Sequence, residues 1–108
     1  MRYVFDLDGT LCSLTNGNYE KAKPYELRII KVNELYDAGH HITIYTARGM
    51  GRNNNCAKMA RAQFVDLTRA QLAVWEVKYH ELILGKYAGD LYIDDKGMNS
   101  NSFFEGVV

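Results

Sequence analysis

The residues best suited to chemistry lie within the first ten positions. MRYVFDLDGT places Asp6 and Asp8 at the exit of an apolar run made by Tyr3, Val4, Phe5 and Leu7, ahead of Gly9 and Thr10. Two carboxylates a few ångströms apart repel, so folding alone gains nothing from the pair. A cation between them, or a proton on one, is required, and either makes this exit a site. Three further apolar runs are followed by polar residues: Thr46 and Arg48 after HITIY, Lys86 after ELIL, Asp94 and Asp95 after DLYI. Taken singly, a Thr after a strand is a turn residue and a Lys is solvated. Together they make a carboxylate cluster with a hydroxyl and an ammonium. Mg²⁺ takes one or two protein carboxylates, keeps waters and accepts a phosphate, so Asp6 and Asp94 are expected to flank one ion. An ionised Asp can attack phosphorus to give an aspartyl-phosphate. Asp8 can then protonate the leaving oxygen and deprotonate the water that opens the intermediate. Thr46 suits a hydrogen bond to a phosphoryl oxygen, and Lys86 suits the charge of the transition state. Gly9 permits a sharp turn that would aim its amides at a phosphate. Gly9 and Thr10 are therefore candidate substrate contacts.

These residues need a scaffold that brings four strand exits to one edge. RYVFDL reads as a strand buried on both faces. Pro24 suits a first helical turn, Tyr25, Ile29, Val32 and Tyr36 form a stripe at helical period, and Gly39 is a stop. HITIYTA is a second strand. RGMGRNNN reads as an exposed loop, where Arg48, Arg52 and Asn53 to Asn55 could meet the rest of a substrate. CAKMARAQF suggests a short helix, and Thr68 with Gln71 spells a capping box for another, flanked by Leu67 and Leu72. ELIL and DLYID are the third and fourth strands. The pattern predicts an α/β fold with a mostly parallel sheet flanked by helices. Ligands of such sheets bind beyond the carboxyl ends of the strands. Trp75 reads as core, and Phe103 and Phe104 as packing for a last helical turn.

A chain of 108 residues is expected to form a single domain, residues 1–108. Thirteen basic and thirteen acidic residues cancel, which gives no support to a nucleic-acid partner. No run approaches a membrane span, and the N-terminus lacks a signal-peptide pattern. Cys12 and Cys56 are expected to be free thiols in a cytoplasmic protein.

FDLDGTL resembles the first motif of the haloacid dehalogenase (HAD) superfamily, a D-x-D-G-T pattern. IYTAR resembles its second motif, and GKYAGDLYIDDKG its third and fourth, a Lys followed by a strand ending in an Asp pair. The motifs occur in order and frame residues 3 to 97. The resemblance implies a Rossmann-like fold and Mg²⁺-dependent phosphoryl transfer. By position it implies Asp6 as nucleophile, Asp8 as general acid/base, and Thr46 and Lys86 as phosphate contacts. Metal binding would fall to Asp6, Asp94 and the Asp8 carbonyl, with Asp95 a direct or indirect partner. Asp90 belongs to a decoy spelling, G-D-x-x-x-D, because it precedes the apolar LYI. Within the superfamily, DLDGTL, the TAR triplet and YIDDKG look most like small capless phosphatases found with bacterial capsule genes, although Tyr87 replaces a usual Pro. Only 12 residues separate Leu11 from Pro24 and 39 separate Thr46 from Lys86. Neither holds a cap domain, since domains rarely fall below about 40 to 50 residues. The site is therefore open, and Tyr19 in the first loop could cover part of it.

The leading expectation is hydrolysis of a small phosphorylated metabolite such as a sugar phosphate, with a homo-oligomer as one way to close the open site. A signalling receiver domain is the rival from another class. It too uses an Asp cluster, a Thr and a Lys around Mg²⁺, but its acid pair follows the first strand and its phospho-accepting Asp comes later. A polymeric substrate and an inactive scaffold are the remaining alternatives.

Overall fold

The first apolar run forms β1 (Arg2–Phe5), HITIYT forms β2 (His41–Thr46) and ELIL forms β3 (Glu81–Leu84). These elements belong to a computed structural model that describes residues 1–107. The strands are parallel in the order β1-β2-β3, with Phe5 beside Ile44 and Thr46 beside Leu84. That register brings Asp6, Thr46 and the Gly85–Lys86 turn to one edge of the sheet.

The first helix, α1 (Glu26–Asp37), buries Ile29 and Val32 from the expected stripe. It stops at Gly39, whose φ of +93° suits a residue without Cβ. The amides of Gly39 and His40 close back on the carbonyls of Tyr36 and Leu35, the paired bonds of a Schellman end. The second, α2 (Ala57–Val74), is one continuous helix where the sequence suggested a break. Thr68 is not a cap. It lies fully buried in mid-helix, with Gln71 one turn on along the same face. A last short helix, α3 (Ser100–Phe103), brings Phe103 and Phe104 against β1, with Phe5 ring centroids 5.5 and 6.0 Å away.

The core joins Phe5, Leu7, Ile42 and Ile44 from the sheet to Ile29, Val32, Leu72 and Phe104 from the helices. Paired residues of parallel strands share a face. Tyr3, Phe5, Ile42, Ile44 and Leu82 therefore line the helix-covered side, and Val4, Thr43 and Ile83 line the other. On that second side Val4 is 64% and Ile83 43% exposed, whereas parallel sheets are usually covered on both faces.

The expected fourth strand does not form. Leu91, Tyr92 and Ile93 have no strand partner and are 76%, 51% and 87% exposed. Only Gly85 to Asp90 follow β3 before this segment, and a parallel neighbour needs a crossover of about a dozen residues or more. The segment folds on itself instead: the Tyr92 hydroxyl donates to the Tyr87 carbonyl at 2.7 Å and accepts from the Gly89 amide at 3.1 Å. No helix among the described residues is long and apolar enough to cross a membrane.

Candidate active site

The exits of all three strands open into one pocket of about 210 Å³ lined by Asp6, Asp8, Tyr19, Thr46, Lys86 and Tyr92 among others. Asp6 continues β1. Lys86 follows β3, where the amides of Gly85 and Lys86 both donate to the Thr46 carbonyl at 3.2 Å. That pair of hydrogen bonds to the neighbouring strand fixes the Lys86 backbone, and its Nζ reaches to 3.7 Å from Asp6 Oδ1. Burial pushes the Asp6 carboxyl above its ordinary value of 3.8. The Lys86 ammonium opposes this, followed by the Leu7 backbone, while the nearby Asp8 charge adds to the rise. Thr46 is almost fully buried, and its Oγ1 accepts from the Arg48 amide at 3.2 Å, so the hydroxyl proton remains free to donate.

Arg48 differs from its sequence reading. The loop after β2 was expected to be exposed, yet Arg48, Gly49 and Met50 are buried. The guanidinium grips Asp8 with a two-pronged fork, Nε to Oδ2 at 2.8 Å and Nη2 to Oδ1 at 2.9 Å. Its Nη1 donates to Thr68 Oγ1 at 3.2 Å and to the Gln71 side-chain oxygen. Tyr19 stacks its ring 4.9 Å from the guanidinium carbon, and its own hydroxyl accepts from the Gly49 amide at 2.9 Å. Arg48 therefore holds Asp8 and does not reach outward as a substrate contact. The T-x-x-Q spacing in α2 was the signal for this network, read as a cap. Cys12 completes the enclosure, its thiol 3.4 Å from Asp8 Oδ1. Burial first, and Asp8 second, push that thiol up to about 12.

Gly9 has the positive φ its turn requires, +83°. Its amide, however, donates to the Cys12 carbonyl at 2.8 Å, and the Thr10 amide to the Leu7 carbonyl at 3.0 Å. Both donors serve the loop, so neither is presented to the pocket. Arg52 holds the Gly17 carbonyl at 2.6 Å, which pins the first loop beside the site. Cys12 and Cys56 are both free thiols.

Asp94 and Asp95 are not brought to Asp6. Asp94 Oδ1 caps its own turn, accepting from the Lys96 amide at 2.7 Å and from the Gly97 amide. Asp95 pairs with Lys96 at 3.3 Å, both largely exposed. No group of three acidic, His or Cys residues meets to hold a metal among the described residues. Asp8 has both oxygens on Arg48, and Asp6 faces Lys86. One chain on its own thus does not fit the Mg²⁺ site expected from the sequence, which needs carboxylate oxygens converging on one point.

No protein-family profile and no curated protein matches the sequence. The chain is similar to the crystal structure of a protein from Vibrio cholerae that is described only as a structure-determination target. The TM-score is 0.87 and the identity 27%, over 96% of this chain and 87% of that one.

Proposed function

We propose that the chain is a phosphomonoester hydrolase of the HAD type without a cap domain, acting on a small phosphorylated metabolite such as a sugar phosphate. One observation carries the reading: Asp6, Thr46 and Lys86, from three different strand exits, line a single pocket with Lys86 Nζ 3.7 Å from Asp6 Oδ1. In this reading a phosphoryl group enters beside Lys86, whose ammonium offsets the equatorial oxygens, while Thr46 donates to one of them. Asp6 Oδ attacks phosphorus, the P–O bond to the alcohol breaks, and the alkoxide takes a proton. Water then attacks the aspartyl-phosphate, releasing phosphate and restoring Asp6. Asp8 is the candidate for both proton transfers. For that role one of its oxygens must turn from the Arg48 fork toward the pocket.

The fork also favours a second reading. An Asp8 kept on Arg48 would leave phospho-Asp6 without a base, and the protein would hold its phosphoryl group as a receiver does. One assay separates the two. The purified chain is given p-nitrophenyl phosphate and a panel of sugar phosphates, with Mg²⁺ and with EDTA, beside Asp6→Asn. Turnover abolished by Asp6→Asn supports hydrolysis. Stoichiometric labelling by acetyl phosphate without turnover supports the receiver-like reading. Neither turnover nor labelling overturns both.

A further inference from the structure

The segment after β3 and the outer edge of β1 each lack what the other offers. Leu91, Tyr92 and Ile93 form an exposed apolar run of strand-forming residues, ending in the two carboxylates absent from the site. Among the described residues β1 pairs only with β2 and leaves its other edge without a strand, an arrangement that invites another chain. On the uncovered face, Val4 on β1 and Ile83 on β3 remain exposed.

The chain cannot join the two by itself with Asp94 at the site. To lie parallel to β1, residue 91 must start at the far end of the sheet, three strand spacings from β3, a diagonal of about 19 Å. Six residues, Gly85 to Asp90, span at most about 20 Å when fully extended. Two of them, Gly85 and Lys86, are already tied to the Thr46 carbonyl, so only the five steps from Lys86 to Leu91 are free, about 18 Å at full extension and short of that diagonal. An antiparallel approach is reachable, but it would carry Asp94 to the end of β1 opposite Asp6.

We propose that two copies exchange residues 91–95. Each copy lays this segment parallel along the free edge of the other's β1, so that Asp94 and Asp95 of one copy complete the acidic cluster at Asp6 of the other. The hinge is residues 87–90. Opening it breaks the Tyr92 hydroxyl bonds to Tyr87 and Gly89 and its contact with Lys86, 4.4 Å from Nζ to the ring centroid. Both hydrogen bonds are exposed and cost little to lose. The exchange is reciprocal, so one twofold closes it and no open chain of copies results. It accounts for a pocket that lacks metal ligands in a chain whose sequence contains them. The account of the carboxylates rests on the phosphatase reading; the exchange itself does not.

Three measurements test it. Light scattering should give twice the 12.3 kDa of one chain. Ile93→Asp should return the mass to one chain with the helical circular dichroism retained, because Ile93 is 87% exposed within its own chain. Asp6→Asn and Asp94→Asn, each inactive alone, are then co-expressed under different tags and purified through both. Each mixed dimer holds one site with both carboxylates, so the pair should recover about half the wild-type activity. A monomeric wild type overturns the proposal, including one destabilised by Ile93→Asp, which would place the segment on its own chain. So does a dimer that survives Ile93→Asp, or an inactive mixed pair beside an active wild type. If the wild type itself releases no phosphate, the phosphatase reading fails, while the mass measurements still decide the exchange.

Discussion

Replacing Arg48 by Met tests the buried network that fixes Asp8. The substitution keeps a long side chain and removes the charge, leaving the Asp8 carboxylate against Cys12 with no cation. Removing one partner of a buried ion pair costs about 3–5 kcal/mol. The donor that Thr68 and Gln71 lose with it is counted within that figure and not added to it. Asp8 retains 17% side-chain exposure, so water can reach part of it and the total falls near the lower end, about 3 kcal/mol. For 108 residues the unfolding entropy is roughly 0.23 kcal/mol/K, which makes that loss a fall of about 13 °C in Tm. A typical domain has only about 5–15 kcal/mol in all, so the variant should be folded but visibly weaker. Urea and thermal unfolding followed by circular dichroism measure it. Asp8→Asn on the Arg48→Met background removes the orphaned charge and should recover at least about 1 kcal/mol relative to the sum of the single losses. A loss below about 1 kcal/mol for Arg48→Met, or strict additivity in the double variant, would refute the idea that this pair anchors the loop.

Other outcomes follow from the same geometry. The folded Asp6 carboxyl titrates above its unfolded value of 3.8, so the native state binds more protons and stability falls as pH rises through that window. Asp6→Asn should therefore be more stable than wild type at pH 7, with the gap closing as the pH drops below 3.8, read from urea midpoints across pH. A variant less stable than wild type at pH 7 would reverse the assigned sign. Lys86→Met should lower kcat by about 10²–10³-fold with native circular dichroism, since it removes a cation facing the reacting phosphoryl group. An unchanged kcat would remove Lys86 from the chemistry. Cys12 is buried and its thiol is pushed up to about 12, whereas Cys56 is exposed. A thiol reagent at pH 8 should label one cysteine per native chain and both after unfolding; rapid double labelling of the native protein would show the Asp8 enclosure to be open.

The strands β1, β2 and β3 were legible because their apolar runs are short, bounded by turn residues and followed by polar ones. The stripe of α1 and its Gly39 stop were legible for the same local reason. The candidate site was read in part: Asp6, Thr46 and Lys86 converge because strand exits of a parallel sheet must share an edge. Arg48 was misread because its burial depends on Asp8, Thr68 and Gln71, far apart in sequence, and the T-x-x-Q spacing that marks two of them reads locally as a helix cap. Thr68 and Gln71 looked like a cap since that pattern is local, but their hydroxyl and amide are taken by Arg48 within an unbroken helix. DLYID carries every local mark of a strand. What stops it is the length of the connection before it, a topological limit that periodicity does not record.

An aspartyl-phosphate on Asp6 can be trapped chemically. Wild-type protein is mixed with a substrate found in the panel, quenched in acid within one turnover, and digested with trypsin. One phosphoryl group is expected on the peptide from Tyr3 to Lys21, assigned to Asp6 by fragmentation and absent in Asp6→Asn. Turnover with no phosphopeptide, or a phosphoryl group on Asp8, would contradict Asp6 as the nucleophile.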